Sequence, residues 1–170
     1  MTQGNQERSL LRSLLRGECA AFDCYLWLHS EMKSSSSADR DFIYDQARHH
    51  ETRARKIHSL LEAQGEEPPF RSGVWGALTL LALRLVFCWG NSERGWHRAF
   101  SLLREGEEFG LCQYQSVLPE FSVDLRIMLE NNFVLPQALS FDRVRNRAKG
   151  EQPRKDALMS DLHCSPLSAR

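Results

Sequence analysis

Glu18, His50 and Glu107 are the residues of this chain whose type and spacing could do chemistry. Each interrupts a helical stripe that is otherwise apolar or aromatic. Leu11, Leu15, Glu18, Phe22 and Tyr25 recur at alternating steps of four and three, which keeps them on one helix face. Phe100, Leu103, Glu107, Gly110, Tyr114 and Val117 do the same further along, and Ile43, Ala47, His50, Ala54, Ile57 and Leu61 form a third stripe. A fourth face is less regular and groups Val134, Ala138 and Phe141. Two carboxylates and one imidazole therefore point toward a common interior from three helices.

A buried carboxylate must be paired, protonated or bound to a cation, because an isolated charge is costly to remove from water. Helical bundles that hold two metal ions use a Glu from each of two helices and a Glu-x-x-His from each of the other two. Glu18 and Glu107 fit the single glutamates and His50 fits one histidine. Ala47 stands where the first Glu-x-x-His needs its acid, and Ala138 and Phe141 stand where the second pair belongs. That ligand count disfavours a full di-iron centre unless Glu51, Glu108 or Asp142 turns inward. Two expectations stay open. The trio is a hydrogen-bonded polar cluster without metal, or it holds a single iron, manganese or zinc ion with water completing the shell.

Other ionisable groups read as surface. His49 and His50 are adjacent and point about 100° apart on a helix, so they cannot serve one ion. His49 and His58 are expected in solvent, as is the basic run Arg53–His58 (RARKIH). Glu105 and Glu108 share a polar row with Ser101, Cys112 and Gln115. There is no Gly-rich phosphate loop and no nucleophile beside a base, which points away from catalysis.

The elements that must position these groups are helices. Apolar periodicity predicts a first helix over about 6–33, ended by the Ser34–Ser37 run, and a second over about 38–64, stopped by Gly65 and Pro68-Pro69. A third is predicted over about 92–118 with Pro119 as its stop. A fourth covers about 123–148, kinked or broken at Pro136. Residues 150–170 lack periodicity and read as a disordered tail beyond a domain at 1–149. Between the second and third helices lies SGVWGALTLLALRLVFCWG, residues 72–90. It is too short for a membrane span and carries Arg84. It reads as an apolar helical crossover packed on the other helices. The alternative is an exposed face, Val74–Trp89, that forms a homodimer or touches a membrane surface.

The chain also repeats itself. LLRGECAAFDCY, Leu14–Tyr25, matches LLREGEEFGLCQY, Leu102–Tyr114, with one insertion, pairing Gly17-Glu18 with Gly106-Glu107 and Tyr25 with Tyr114. A fainter echo sets QARHHETR from Gln46 against QALSFDRV from Gln137, and so Glu51 against Asp142. In matching order, these suggest a duplicated helical hairpin. The fold expected is therefore all-α, a ferritin-like four-helix bundle. Over about residues 8–148 the chain resembles a bacterial ferritin-like family of unknown function. The likeness lies in Gly17-Glu18, SGVWGAL at Ser72–Leu78, REGEEFGLCQY at Arg104–Tyr114 and FDRVR at Phe141–Arg145. Members often carry histidine where Phe141 stands. It is more distantly similar to the di-iron demethoxyubiquinone hydroxylases, whose two Glu-x-x-His motifs it lacks. The resemblance implies a ferritin-like protein with a degenerate di-metal site, linked to stress or metal handling as its relatives are suspected to be.

Composition sets the outer bounds. At 170 residues the chain is one domain's worth, and Lys+Arg and Asp+Glu balance at 22 each. With no net basic charge and no basic stripe, nucleic acid is not an expected partner. The start, MTQGNQERSL, lacks a secretory pattern, and the cysteines (Cys19, Cys24, Cys88, Cys112, Cys164) lack paired spacing. Both fit a cytoplasmic protein with reduced thiols. The expected function is that of a non-catalytic structural or interaction protein, with metal binding as the alternative.

Overall fold

The computed structural model describes residues 3–32, 37–88 and 92–148, and every regular element among them is a helix. Trp89, the Ser34–Ser36 stretch, Cys164 and the 150–170 segment lie outside the described residues. Helix α1 spans Gln3–Glu31, α2 Ser37–Glu62, α3 Val74–Cys88 and α4 Ser92–Val117. A 3-10 turn at Leu118–Glu120 follows, then α5 at Val123–Leu129, a π-helical turn at Glu130–Val134 and α6 at Leu135–Ala148.

The stops follow local chemistry. Past the end of α2, Gly65 takes φ 79° and donates its N–H to Glu62 O, while Glu66 N–H reaches back to Leu61 O. That left-handed turn favours glycine and satisfies the last carbonyls of the helix. Pro119 sits in the 3-10 turn that ends α4, where its missing N–H is no loss. Helix α5 begins at Ser122, whose carbonyl accepts from Arg126 N–H at 2.8 Å.

Pro136 neither breaks the fourth segment nor ends it. The chain stays helical from Val123 to Ala148, with the π turn just before the proline. Leu135 N–H bonds Glu130 O, an i to i+5 closure that inserts one extra residue into the turn. That residue turns the face of α6. The buried line is Phe133, Gln137, Ser140 and Val144, not the expected Val134, Ala138 and Phe141.

The first three stripes are placed as their spacing requires. Leu11, Leu15, Glu18 and Tyr25 of α1 are buried, as are the six expected positions of α2 and Phe100, Leu103, Glu107 and Tyr114 of α4. Helix α1 packs most extensively on α2, and α4 on α6. The apolar interior falls into two clusters. One gathers Leu11, Leu15, Ile57, Leu61, Leu118, Leu129 and Phe133, and the other Leu28, Met32, Ile43, Leu83, Phe100 and Val144. Between them lies a buried polar layer containing Glu18, Gln46, His50, Arg53, Glu107, Gln137 and Ser140.

Helix α3 rests on α1 and α4. Gly76 makes this possible: a Cβ there would stand 2.7 Å from Ala20 Cβ. No described helix is long and apolar enough to cross a membrane.

Candidate functional site

His50 stands at the centre of the layer. Its Nδ1 lies 2.8 Å from Glu18 Oε2 and its Nε2 lies 2.9 Å from Glu107 Oε1. A ring whose two nitrogens each face a carboxylate favours the imidazolium, which can donate an N–H to each side. Burial works against that charge, but Glu107 and Glu18 outweigh it and raise the pKa of His50.

Arg53, one helical turn further along α2, completes the layer. Its Nε donates to both oxygens of Glu18 at 3.0 Å, and its Nη2 donates to Gln137 Oε1 at 2.7 Å. Gln137 Nε2 in turn donates to Glu107 Oε2 at 2.6 Å. The five side chains form a closed ring, from Glu18 through His50, Glu107, Gln137 and Arg53 back to Glu18. With His50 protonated, two carboxylates and two cations make it formally neutral. Arg53 Nη2 also lies 2.9 Å from His50 Nδ1. That contact is a hydrogen bond only when Nδ1 is bare, and the charge of Arg53 opposes protonation of His50.

Two tyrosines close the ring from the flanking apolar halves. Tyr25 Oη donates to Glu107 Oε1 at 2.6 Å, and Tyr114 Oη donates to Glu18 Oε1 at 2.7 Å. The arrangement is reciprocal: the tyrosine of α1 caps the glutamate of α4, and the tyrosine of α4 caps the glutamate of α1. Tyr25 stacks on His50 with ring centroids 5.2 Å apart, and Tyr114 stacks on Phe133 at 6.0 Å. Ser140 Oγ donates to Gln46 Oε1 and lies 3.3 Å from Glu107 Oε1. Gly110 leaves room for Gln137, since a Cβ there would stand 3.1 Å from Gln137 Nε2.

The electrostatics follow from this geometry. Burial alone pushes the Glu18 carboxyl up, but Arg53, His50 and the Tyr114 hydroxyl more than reverse it and hold its pKa at about 2. Glu107 is lowered in the same way, burial being overcome by His50, Tyr25 and Arg53. Both tyrosine hydroxyls are raised well above their ordinary range by burial and by the carboxylates they cap. Among the described residues, the buried side-chain atoms without a hydrogen-bond partner are Arg104 Nε and Arg145 Nε, and neither belongs to the layer.

The structure thus brings Glu18, His50 and Glu107 together, as their stripes require. It does not add the other acids. Glu51 pairs with Arg55 on the surface at 2.6 Å, Asp142 pairs with Arg145 at 3.0 Å, and Glu108 is exposed. Phe141 lies beneath the Arg145 guanidinium rather than facing the layer. Arg53 corrects the reading of the Arg53–His58 run as surface: Arg55 and Lys56 are exposed, but Arg53 is buried. The available signal was spacing, because Arg53 lies three residues after His50 on the face that already holds it. His58 is also less free than expected, with Nε2 3.0 Å from Pro68 O. Gln46 and Gln137 open the two matching segments of the fainter echo, and that shared position is the signal for their shared burial.

The donor set does not fit a metal ion. Ligands to one ion must direct lone pairs at a single point, whereas His50 lies between the carboxylates and presents a different nitrogen to each. All four carboxylate oxygens already accept N–H or O–H donors. Arg53 adds a permanent positive charge beside them. Among the described residues no group of three His, Cys, Asp or Glu side chains is arranged to hold a metal ion. Compared with protein-family models, curated proteins and solved structures, the chain gives no match.

Proposed function

We propose that this chain is a ferritin-like four-helix bundle in which Arg53 and protonated His50 supply the positive charge that metal ions supply in di-metal bundles. On this reading it is a non-catalytic structural or interaction protein, with a sealed polar layer and a working surface. The observation that carries the proposal is the Arg53 guanidinium bridging Glu18 and Gln137 inside the carboxylate pair. The reciprocal Tyr25–Glu107 and Tyr114–Glu18 bonds support descent from a duplicated hairpin. Buried thiols at Cys19 and Cys24, without a disulfide, suit a reducing compartment.

The protonation state of His50 tests this reading. Nitrogen-detected NMR of the side chain at neutral pH is expected to show both ring nitrogens protonated, and adding iron(II) or zinc is expected to leave them so. A ring with one bare nitrogen whose signal moves with added metal would sink the proposal, since a ligating imidazole must give up a proton.

A further inference from the structure

Among the described residues, helix α3 is packed along one side only. Gly76 and Leu83 are buried there, and Phe87 meets Trp27 and Trp96 edge-on. The opposite side carries Val74 at 77% exposure and Trp75 at 82%, with Leu78, Leu81 and Leu85 each about half exposed at 48%, 51% and 50%. The sequence expectation of a packed crossover therefore describes the inner side of α3 but not the outer one.

We propose that this outer stripe is the interface of a homodimer, with a second copy of the chain laying its own α3 antiparallel across it. The inference stands apart from the reading of the polar layer. Val74, Leu78, Leu81 and Leu85 are spaced four, three and four, the seam along which two helices interlock. The stripe is also self-complementary, as a two-fold interface requires. A two-fold axis between Thr79 and Leu80 sets Val74 opposite Leu85 of the partner subunit and Leu78 opposite Leu81 of the partner subunit. The same axis sets Trp75 beside Arg84 of the partner subunit, the one charged residue of α3, whose guanidinium lies 5.7 Å from the centroid of Trp27 in its own chain, so that the indole meets a charge already held in place. No like charges oppose each other.

Area fits as well. The stripe offers about 500–600 Å² per chain, so ~1,000–1,200 Å² would leave water on pairing, at the lower edge for a specific interface. The association is therefore weak and concentration-dependent. A lipid surface is the poorer match, because helices that lie on membranes border their apolar face with several Lys or Arg and α3 has Arg84 alone.

Sedimentation equilibrium of the full chain, from about 1 to about 200 µM, tests the proposal. The expected average mass rises from that of one 19.6 kDa chain toward twice that value. A Leu78→Glu, Leu81→Glu variant is expected to remain single at every concentration with an unchanged far-ultraviolet spectrum, because both side chains are already half in water. The milder Trp75→Ala change is expected to weaken dimerisation at least about tenfold, as loss of an aromatic anchor does. A parent chain that stays single throughout would overturn the proposal, as would dimerisation indifferent to these changes. Co-sedimentation of single chains with phosphatidylcholine–phosphatidylglycerol vesicles, lost in the double variant, would assign the stripe to lipid instead.

Discussion

Arg53 carries a charge it cannot give up into an interior where Glu18 and Gln137 supply its partners. Removing one member of such a set leaves the others charged and unpaired. Arg53→Met is therefore expected to lose about 3–5 kcal/mol of stability, read from urea unfolding at pH 6. A loss below about 1 kcal/mol would mean that the guanidinium lies in solvent and that Glu18 is neutralised another way. At this scale Glu18, His50 and Glu107 were legible, because a lone polar residue in an apolar stripe stands out. Arg53 was not, since it opens a basic run in which Arg55 and Lys56 do face water. Composition pointed outward, while position, three residues past His50, pointed inward.

The π turn at Glu130–Val134 decides which side chains of α6 meet the layer. Pro136 cannot donate an N–H and crowds the carbonyl four residues before it, and the wider turn just upstream accommodates both effects without ending the helix. Its extra residue turns the following face by about 100°. Inserting an alanine after Leu135 adds a residue that the wider turn does not absorb, and should carry Pro136 and Leu139 to the places of Gln137 and Ser140. Arg53 Nη2 and Glu107 Oε2 would then lose their shared partner, at a cost on the order of 2–3 kcal/mol. The check is urea unfolding of the insertion variant, and stability within about 0.5 kcal/mol of the parent would show that the register is not what holds the layer. The sequence displayed helix lengths and stops well, because Gly65 and Pro119 act locally. The π turn was invisible to a reading of constant period, and for that reason the inward face of α6 was misplaced by one residue.

Across the whole molecule, the polar layer divides the apolar interior in two and makes stability depend on pH from both sides. Glu18 is held at about 2, below its ordinary 4.5, so its contribution is complete above 4.5 and fades as the pH falls toward 2. Glu107 shifts in the same direction. His50 is raised above its ordinary 6.5, so its contribution is complete below 6.5 and fades as the pH climbs through the raised value. The layer therefore stabilises most between about pH 4.5 and 6.5. Urea midpoints should fall on either side of that window, and the alkaline decline should vanish in His50→Gln. A midpoint that climbed steadily from pH 6 to 9 would contradict this. The all-helical class was legible from periodicity, and the meeting of α1, α2 and α4 from their stripes. The closure of the layer was not, because it depends on which atoms face which, and a sequence does not carry that. The most direct test of a layer neutralised from within is the metal content of chain purified without an affinity tag, measured with its melting temperature before and after chelation. The account predicts no stoichiometric metal and an unchanged melting temperature. Metal near one per chain, removed by chelator with a fall in melting temperature and absent from Glu18→Ala, would contradict it.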